Sequence, residues 1–221
     1  MISSEEMPFW PMAQRLPDSD ELPVDNELQE QVAAFLRRVL CAVWSERQDW
    51  FFGVDMGIYF APDAPPIMPD GFLSLGVERF REEDGRISYV LWQEHWVVPV
   101  LALEVVSQTY RGEYESKLQD YARLGLLYYV VYNPRRKRRR APLEVYKLIA
   151  GNYVLQTGEP VWMPEIGLGI GRARGTCDGW QREWLYWFDA QNNCLMGSDE
   201  QLERLRAFLL SQGFDPDSLP S

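Results

Sequence analysis

Apolar residues recur at helical spacing between residues 25 and 44, at Leu28, Val32, Phe35, Leu36, Val39, Leu40 and Val43. The spacing predicts a helix, with Asp25 or Asn26 as its cap and acids in its first turn. The pattern then changes. "WFFGVDMGIYFAP" (50–62) reads as a hairpin or two short strands broken by glycine, and "IMPDGFLSL" (67–75) as a short strand entered through Pro69-Asp70. "WVVPVLALEVVS" (96–107) is the longest strand candidate. "GEYESKLQDYARLG" (112–125) returns to helical spacing through Tyr114, Leu118, Tyr121 and Ala122, and Gly125 stands where a helix-ending glycine belongs. "LLYYVVYNP" is a β-rich run stopped by Asn133-Pro134. "LEVYKLIAGNYVLQ" predicts a hairpin turning at Ala150-Gly151-Asn152, and 167–193 further short strands and turns. "DEQLERLRAFLLSQG" predicts a closing helix with Leu202, Leu205, Phe208 and Leu209 inward.

A strand, a helix and a strand between 97 and 133 imply a parallel pair joined by a right-handed crossover. Hairpins add antiparallel neighbours. The expected class is α/β, a mixed β-sheet flanked by helices. Residues 1–25, interrupted by Pro8, Pro11, Pro17 and Pro23, are expected to be an extended arm, and 26–221 a single domain. The charged stretch 77–88 is expected to be an exposed insertion.

Composition narrows the function. A net charge of -11 argues against coating nucleic acid through a global positive field, although a local basic groove stays open. Three dispersed cysteines match neither metal-finger spacing nor a disulfide framework, so a reducing cytoplasm is expected. The N-terminal stretch lacks the pattern of a signal peptide, and no apolar run reaches the ~20 residues of a membrane span. The single histidine, His95, excludes a multi-histidine zinc site and is assigned a structural role.

Candidate chemistry centres on Glu104. Alternation puts Val100, Ala102, Glu104 and Val106 on one face, so a carboxylate interrupts an apolar row near a strand end, where open α/β sheets place their sites. Asp70 is a second carboxylate that could share a divalent ion with it. Lys117 lies on the flank of the following helix, within reach of that strand end. Plainer readings stand beside these: a core ion pair for Glu104, a turn for Asp70, a helical pair with Glu113 for Lys117. Asp55, beside turn glycines, is left outside the set. The run Arg135, Arg136, Lys137, Arg138, Arg139 and Arg140 is either a phosphate-contacting loop or a solvated hairpin connection. "GLGIGRARG" lacks nucleotide-loop context and reads as turns and strand packing, and the Trp-rich 180–187 as core or dimer contact.

Three stretches together carry a resemblance: Pro69-Asp70, "LEVVS" at 103–107 and "YESKLQDYARLGLLYYVVYNP" at 114–134. They resemble the Uma-two-type restriction endonuclease family of the PD-(D/E)xK nuclease-like superfamily, in its cyanobacterial type, over roughly residues 20–190. The resemblance implies a restriction-endonuclease-like core and metal-dependent hydrolysis of DNA with Mg²⁺ or Mn²⁺. Asp70 and Glu104 match the metal-binding carboxylates and Lys117 the catalytic lysine. The superfamily's usual lysine position, two after the acid, is Val106 here; the family moves the lysine to the next helix. A homodimer is expected by analogy. The alternative is a nuclease-fold module that binds nucleic acid or protein without turnover.

Overall fold

Seventeen residues, Glu27–Val43, form α1, which buries Leu28, Val32, Phe35, Leu36, Val39 and Leu40 along one stripe. The computed structural model describes residues 12, 13, 16, 27–81, 83–107 and 112–215. The expected arm therefore falls almost wholly outside the described residues, as do the caps Asp25 and Asn26. After α1 come β1 (Trp50–Val54), β2 (Ile58–Tyr59), β3 (Gly71–Leu75), β4 (Tyr89–Val90) and β5 (Leu101–Val105). Helix α2 (Ser116–Leu124) leads to β6 (Tyr128–Tyr132), β7 (Leu143–Ile149), β8 (Asn152–Leu155) and β9 (Val161–Met163). The chain continues through β10 (Leu168–Cys177) and β11 (Trp180–Phe188) to α3 (Ser198–Ser211).

Six strands make the central sheet in the order β1-β3-β5-β6-β7-β8. Only β5 and β6 run parallel in it, with α2 as their crossover; the other pairs are antiparallel. This is the expected mixed α/β sheet. Leu101, Leu103 and Val105 point to one face, which α1 and the sheet β9-β10-β11 cover. Trp187 Nε1 donates to the Leu36 carbonyl at 3.1 Å, and Phe35 meets Tyr186 edge-on at 4.8 Å between ring centres. Ala102 and Val106 point to the other face, where Tyr121 of α2 packs with Tyr129. Both faces are thus covered, and β5 and β6 are apolar apart from Glu104, because every residue in them is buried.

Of the two expectations for 50–62 the structure takes two short strands, since β1 pairs with β3 and β2 with β4. Several other elements differ from expectation. β5 is short; residues 91–96 form turns, and Pro99 has no N–H to extend the ladder. The longest strand is β10, ten residues paired with β11 through an Asp178-Gly179 turn with φ of 51° and 77°. Its glycines serve strand packing, as expected: at Gly171 a Cβ would stand 3.0 Å from Pro160. The 77–88 stretch is not simply exposed. The Arg86 side chain is 3% exposed and its Nε donates to buried Glu94 at 2.8 Å. Helix α2 starts at Ser116, four residues late, leaving Tyr114 in the preceding turn yet still in the Tyr121 cluster.

Helix α3 forms, but of the four residues expected inward only Leu209 is partly buried. Leu202, Leu205 and Phe208 are 54%, 53% and 58% exposed, and the helix buries no residue. α1 packs on β11 through Phe35 and Leu36, and α3 meets the sheet through Glu200, which accepts the Tyr186 hydroxyl.

Candidate functional site

The strand register assembles the site. β3 pairs with β5 as Gly71↔Leu103 and Phe72↔Ala102, so one step further sets Asp70 opposite Glu104. β1 pairs with β3 as Val54↔Gly71, and Asp55 N–H donates to the Asp70 carbonyl at 3.1 Å. Asp55, Asp70 and Glu104 therefore stand in one line across three strands, on one face. Alternation alone places Glu104 on this face; the line across strands needs the pairing.

Glu104 is 2% exposed and both its oxygens are engaged. Lys117 Nζ donates to Oε2 at 2.6 Å and Tyr121 O–H to Oε1 at 2.6 Å. Lys117 makes its ion pair across to β5, so Glu104 has a cation partner, supplied by a lysine rather than an arginine. Asp70 Oδ2 accepts the Val105 N–H at 2.6 Å, and Oδ1 accepts from Gln29 Nε2 at 3.3 Å. Gln29 also reaches the Val105 carbonyl at 3.4 Å. It is a site residue that apolar periodicity does not reveal. Its signal is a polar side chain on the stripe Val32, Ala33, Leu36, Leu40 of α1.

Burial and charge set the protonation. Burial first, then the charge of Glu104, pushes Asp70 up to about 7, against the pull of the Val105 N–H and Lys117. Burial also raises Glu104, opposed by Lys117 and the Tyr121 hydroxyl. For Lys117, burial would lower the pKa, but Glu104 and Asp70 outweigh it and hold it raised and charged. Two acids and one cation thus leave an excess negative charge when both acids ionise.

These groups form part of the wall of a cleft of about 1110 Å³, which Glu113, Asp120 and Arg123 also line. Glu113 is buried, and its carbonyl accepts the Tyr129 hydroxyl at 2.7 Å, which fixes the turn before α2. Asp70 and Glu104 are the oxygen donors that could jointly hold a hard divalent cation. Among the described residues no group of three or more His, Cys, Asp or Glu side chains is arranged to hold a metal.

The basic run lies beside the site without lining the cleft. β5 and β6 are parallel with Val105↔Tyr132, so the segment after β6 leaves the sheet at the Glu104 end. Asn133 clamps it, donating from Nδ2 to the Lys137 carbonyl at 2.9 Å and accepting the Lys137 N–H at 3.0 Å. Arg135, Arg136 and Arg139 are exposed around the short 3-10 turn Lys137–Arg139. Arg140 stacks over Tyr114 at 4.6 Å, joining the run to the turn before α2. His95 is exposed in a turn and takes no part in this cluster.

The profile of the Uma2 family, described as "Putative restriction endonuclease", matches residues 21–173. The chain belongs to that family, whose description supports a nuclease. A solved structure that it resembles, described as a "putative nuclease belonging to DUF820" from Anabaena variabilis ATCC 29413, is 14% identical. The match covers 65% of this chain and 73% of that one, with a TM-score of 0.43. No curated protein matches the chain. No described helix is long and apolar enough to cross a membrane.

Proposed function

We propose that the chain is a metal-dependent endonuclease that hydrolyses DNA phosphodiester bonds, with Asp70 and Glu104 as metal ligands and Lys117 beside the scissile phosphate. The observation that carries this reading is the cross-strand placement of Asp70 opposite Glu104, with Lys117 bound to Glu104. The donor set suits Mg²⁺ or Mn²⁺: two carboxylate groups with lone pairs to spare, excess negative charge, and an open cleft for water and phosphate oxygens. A divalent ion bound there would acidify water and offset charge on the phosphate. Asp70 and Glu104 supply oxygens from two adjacent strands, a spacing held by backbone pairing. Val105 N–H and Gln29 orient the Asp70 carboxylate; Tyr121 orients that of Glu104. The Lys117 ammonium has two further N–H donors with which to orient the attacking water or balance charge on the phosphate. Cleavage would leave a 5′-phosphate and a 3′-hydroxyl. Arg135, Arg136, Lys137, Arg139 and Arg140 would contact phosphates on the flank (the Arg138 side chain lies outside what the structure describes), and pairing of two copies through α3 would suit cutting of two strands.

Incubation of plasmid and of short single- and double-stranded DNA with Mg²⁺, Mn²⁺ or EDTA tests the proposal. Metal-dependent cleavage by the wild type and none by Glu104→Ala or Lys117→Ala supports it. A second reading, a nuclease-fold module that binds without turnover, is favoured by one observation: both Glu104 oxygens are already satisfied within the protein. DNA binding with no cleavage in any metal would select it.

A further inference from the structure

The lining of the cleft is of two kinds. Beside the charged groups it includes Phe60, Pro65, Pro66, Met68, Trp96 and Val98. Trp96 is 39% exposed and lines the same cleft as Asp70 and Glu104. Against the sugar-phosphate backbone of a duplex such a wall would have nothing to contact.

The wall is firmly built. Ile58 and Ile67 exchange backbone bonds at 2.9 and 3.1 Å, which fixes the segment leading to Met68. His95 and Trp96 are consecutive residues at φ of 53° and 62°, a conformation side-chain-bearing residues rarely adopt. The surrounding bonds impose it. Trp96 N–H donates to the Leu91 carbonyl at 2.7 Å, and Val97 N–H to the Glu94 carbonyl at 2.9 Å. Glu94 is itself anchored by Arg86 at 2.8 Å and Arg81 at 3.0 Å. The buried ion cluster, which the nuclease reading leaves unused, thus holds the turn that presents the Trp96 ring.

We propose that this wall is a stacking subsite for an unpaired nucleobase, so that the cleft takes a single-stranded segment with its phosphodiester at Asp70, Glu104 and Lys117. This rests on the nuclease reading and adds the substrate form. Bases within a duplex offer only their edges in the grooves. A flat aromatic and proline wall matches the face of a base, which is free only in an unpaired strand, and such stacking is tolerant of sequence. The phosphate of the same nucleotide would meet the cations Lys117 and Arg123, which line the same cleft.

The test uses the full chain with Ca²⁺ in place of Mg²⁺, and fluorescence anisotropy with three probes at one salt concentration. They are a short oligothymidylate, an abasic strand of equal length, and a duplex of equal length. The wild type should bind oligothymidylate more tightly than either other probe. Trp96→Ala should weaken oligothymidylate binding by roughly 5- to 100-fold, the range for removal of one stacking partner. Its affinity for the abasic strand should not change, and Trp96→Phe should restore most of the loss. Equal oligothymidylate binding by Trp96→Ala and wild type, or tighter wild-type binding of the duplex, overturns the subsite. Plasmid nicking assayed in parallel with Mg²⁺ separates the two readings: nicking that persists alongside either result leaves the nuclease proposal standing. Absence of binding to every probe at low salt overturns both.

Discussion

Lys117 Nζ donates to Glu104 Oε2 at 2.6 Å, tying α2 to the buried end of β5. The carboxylate is 2% exposed and the lysine side chain 22%, so removing the cation leaves an acid buried without its counter-charge. Breaking such a pair costs about 3–5 kcal/mol, less to the extent that the acid takes up a proton. Lys117→Met should therefore lower stability in urea unfolding, and Glu104→Gln combined with Lys117→Met should recover most of the loss. Cleavage should fall by ~10²- to 10⁴-fold in the single variant, the range for a group acting at the transition state. It should stay down in the double variant. Recovery of stability without activity separates the structural role of the pair from the chemical one.

Asp70 gives a pH signature. Its pKa is raised to about 7, so the folded chain keeps a proton that the unfolded chain has already released. The stability this contributes is complete below the ordinary carboxyl value and is lost as pH rises through about 7. The melting temperature of metal-free protein should fall between about pH 5 and about pH 8, relative to Asp70→Asn, which lacks the titrating group. Mg²⁺ should restore melting temperature at the upper pH and do little at the lower one, where the proton competes with it. A melting curve indifferent to both pH and Mg²⁺ would remove Asp70 from the ligand set.

How much of this is legible in the sequence depends on the range of the interaction. Alternation along one strand separates Leu101, Leu103 and Val105 from Ala102 and Glu104, and the structure keeps that division. Gly125 ends α2 with φ of 81°, and Ala150-Gly151 turns the β7-β8 hairpin, since both follow from local backbone preference. The Asp70-Glu104 opposition is a register, which no single strand encodes. Gln29 reaches Asp70 from 41 residues away. Helix α3 shows the converse error: its periodicity is real, but an apolar stripe says only that something should cover it.

Tyr121 is the residue whose role spacing describes least fully. It lies on the apolar face of α2 as expected, yet its hydroxyl donates to Glu104 Oε1 at 2.6 Å while its ring packs on Tyr129 at 5.0 Å. Tyr121→Phe keeps the ring and deletes one buried hydrogen bond to a charged group, costing about 1.5–3 kcal/mol. Because Glu104 would then be held by Lys117 alone, the Mg²⁺ concentration for half-maximal cleavage should rise by about 10-fold or more, the effect expected of losing an orienting partner. An unchanged metal requirement would limit Tyr121 to packing.

The basic run gives a salt-dependence prediction. Arg135, Arg136 and Arg139 are exposed at the Glu104 end of the sheet, on a chain whose net charge is -11. Any phosphate they neutralise must appear as counterion release. Replacing all three with Ala should weaken DNA binding similarly for all sequences and reduce the slope of log affinity against log salt by about 1 for each phosphate no longer neutralised. An unchanged slope would return the run to a solvated connection between β6 and β7.

The exposed apolar side chains of α3 give a prediction about self-association. Leu202, Leu205 and Phe208 fall on one side of the helix and are more than half exposed, with Leu210 and Phe214 adding 60% and 65% exposed apolar side chains near its end. Exposed apolar side chains grouped on one side of a helix are suited to an interface, and a two-fold pair would let each copy cover the other with the same residues. The chain should therefore sediment as a dimer at micromolar concentration. Leu205→Asp with Phe208→Asp should convert it to a monomer while leaving its thermal unfolding at low concentration nearly unchanged, because neither side chain belongs to the buried core. The sign of that second measurement is the discriminating one. If α3 instead stabilised the monomer, two buried charges would cost several degrees of melting temperature at any concentration, and a dimer that survived both substitutions would have to be held by another surface.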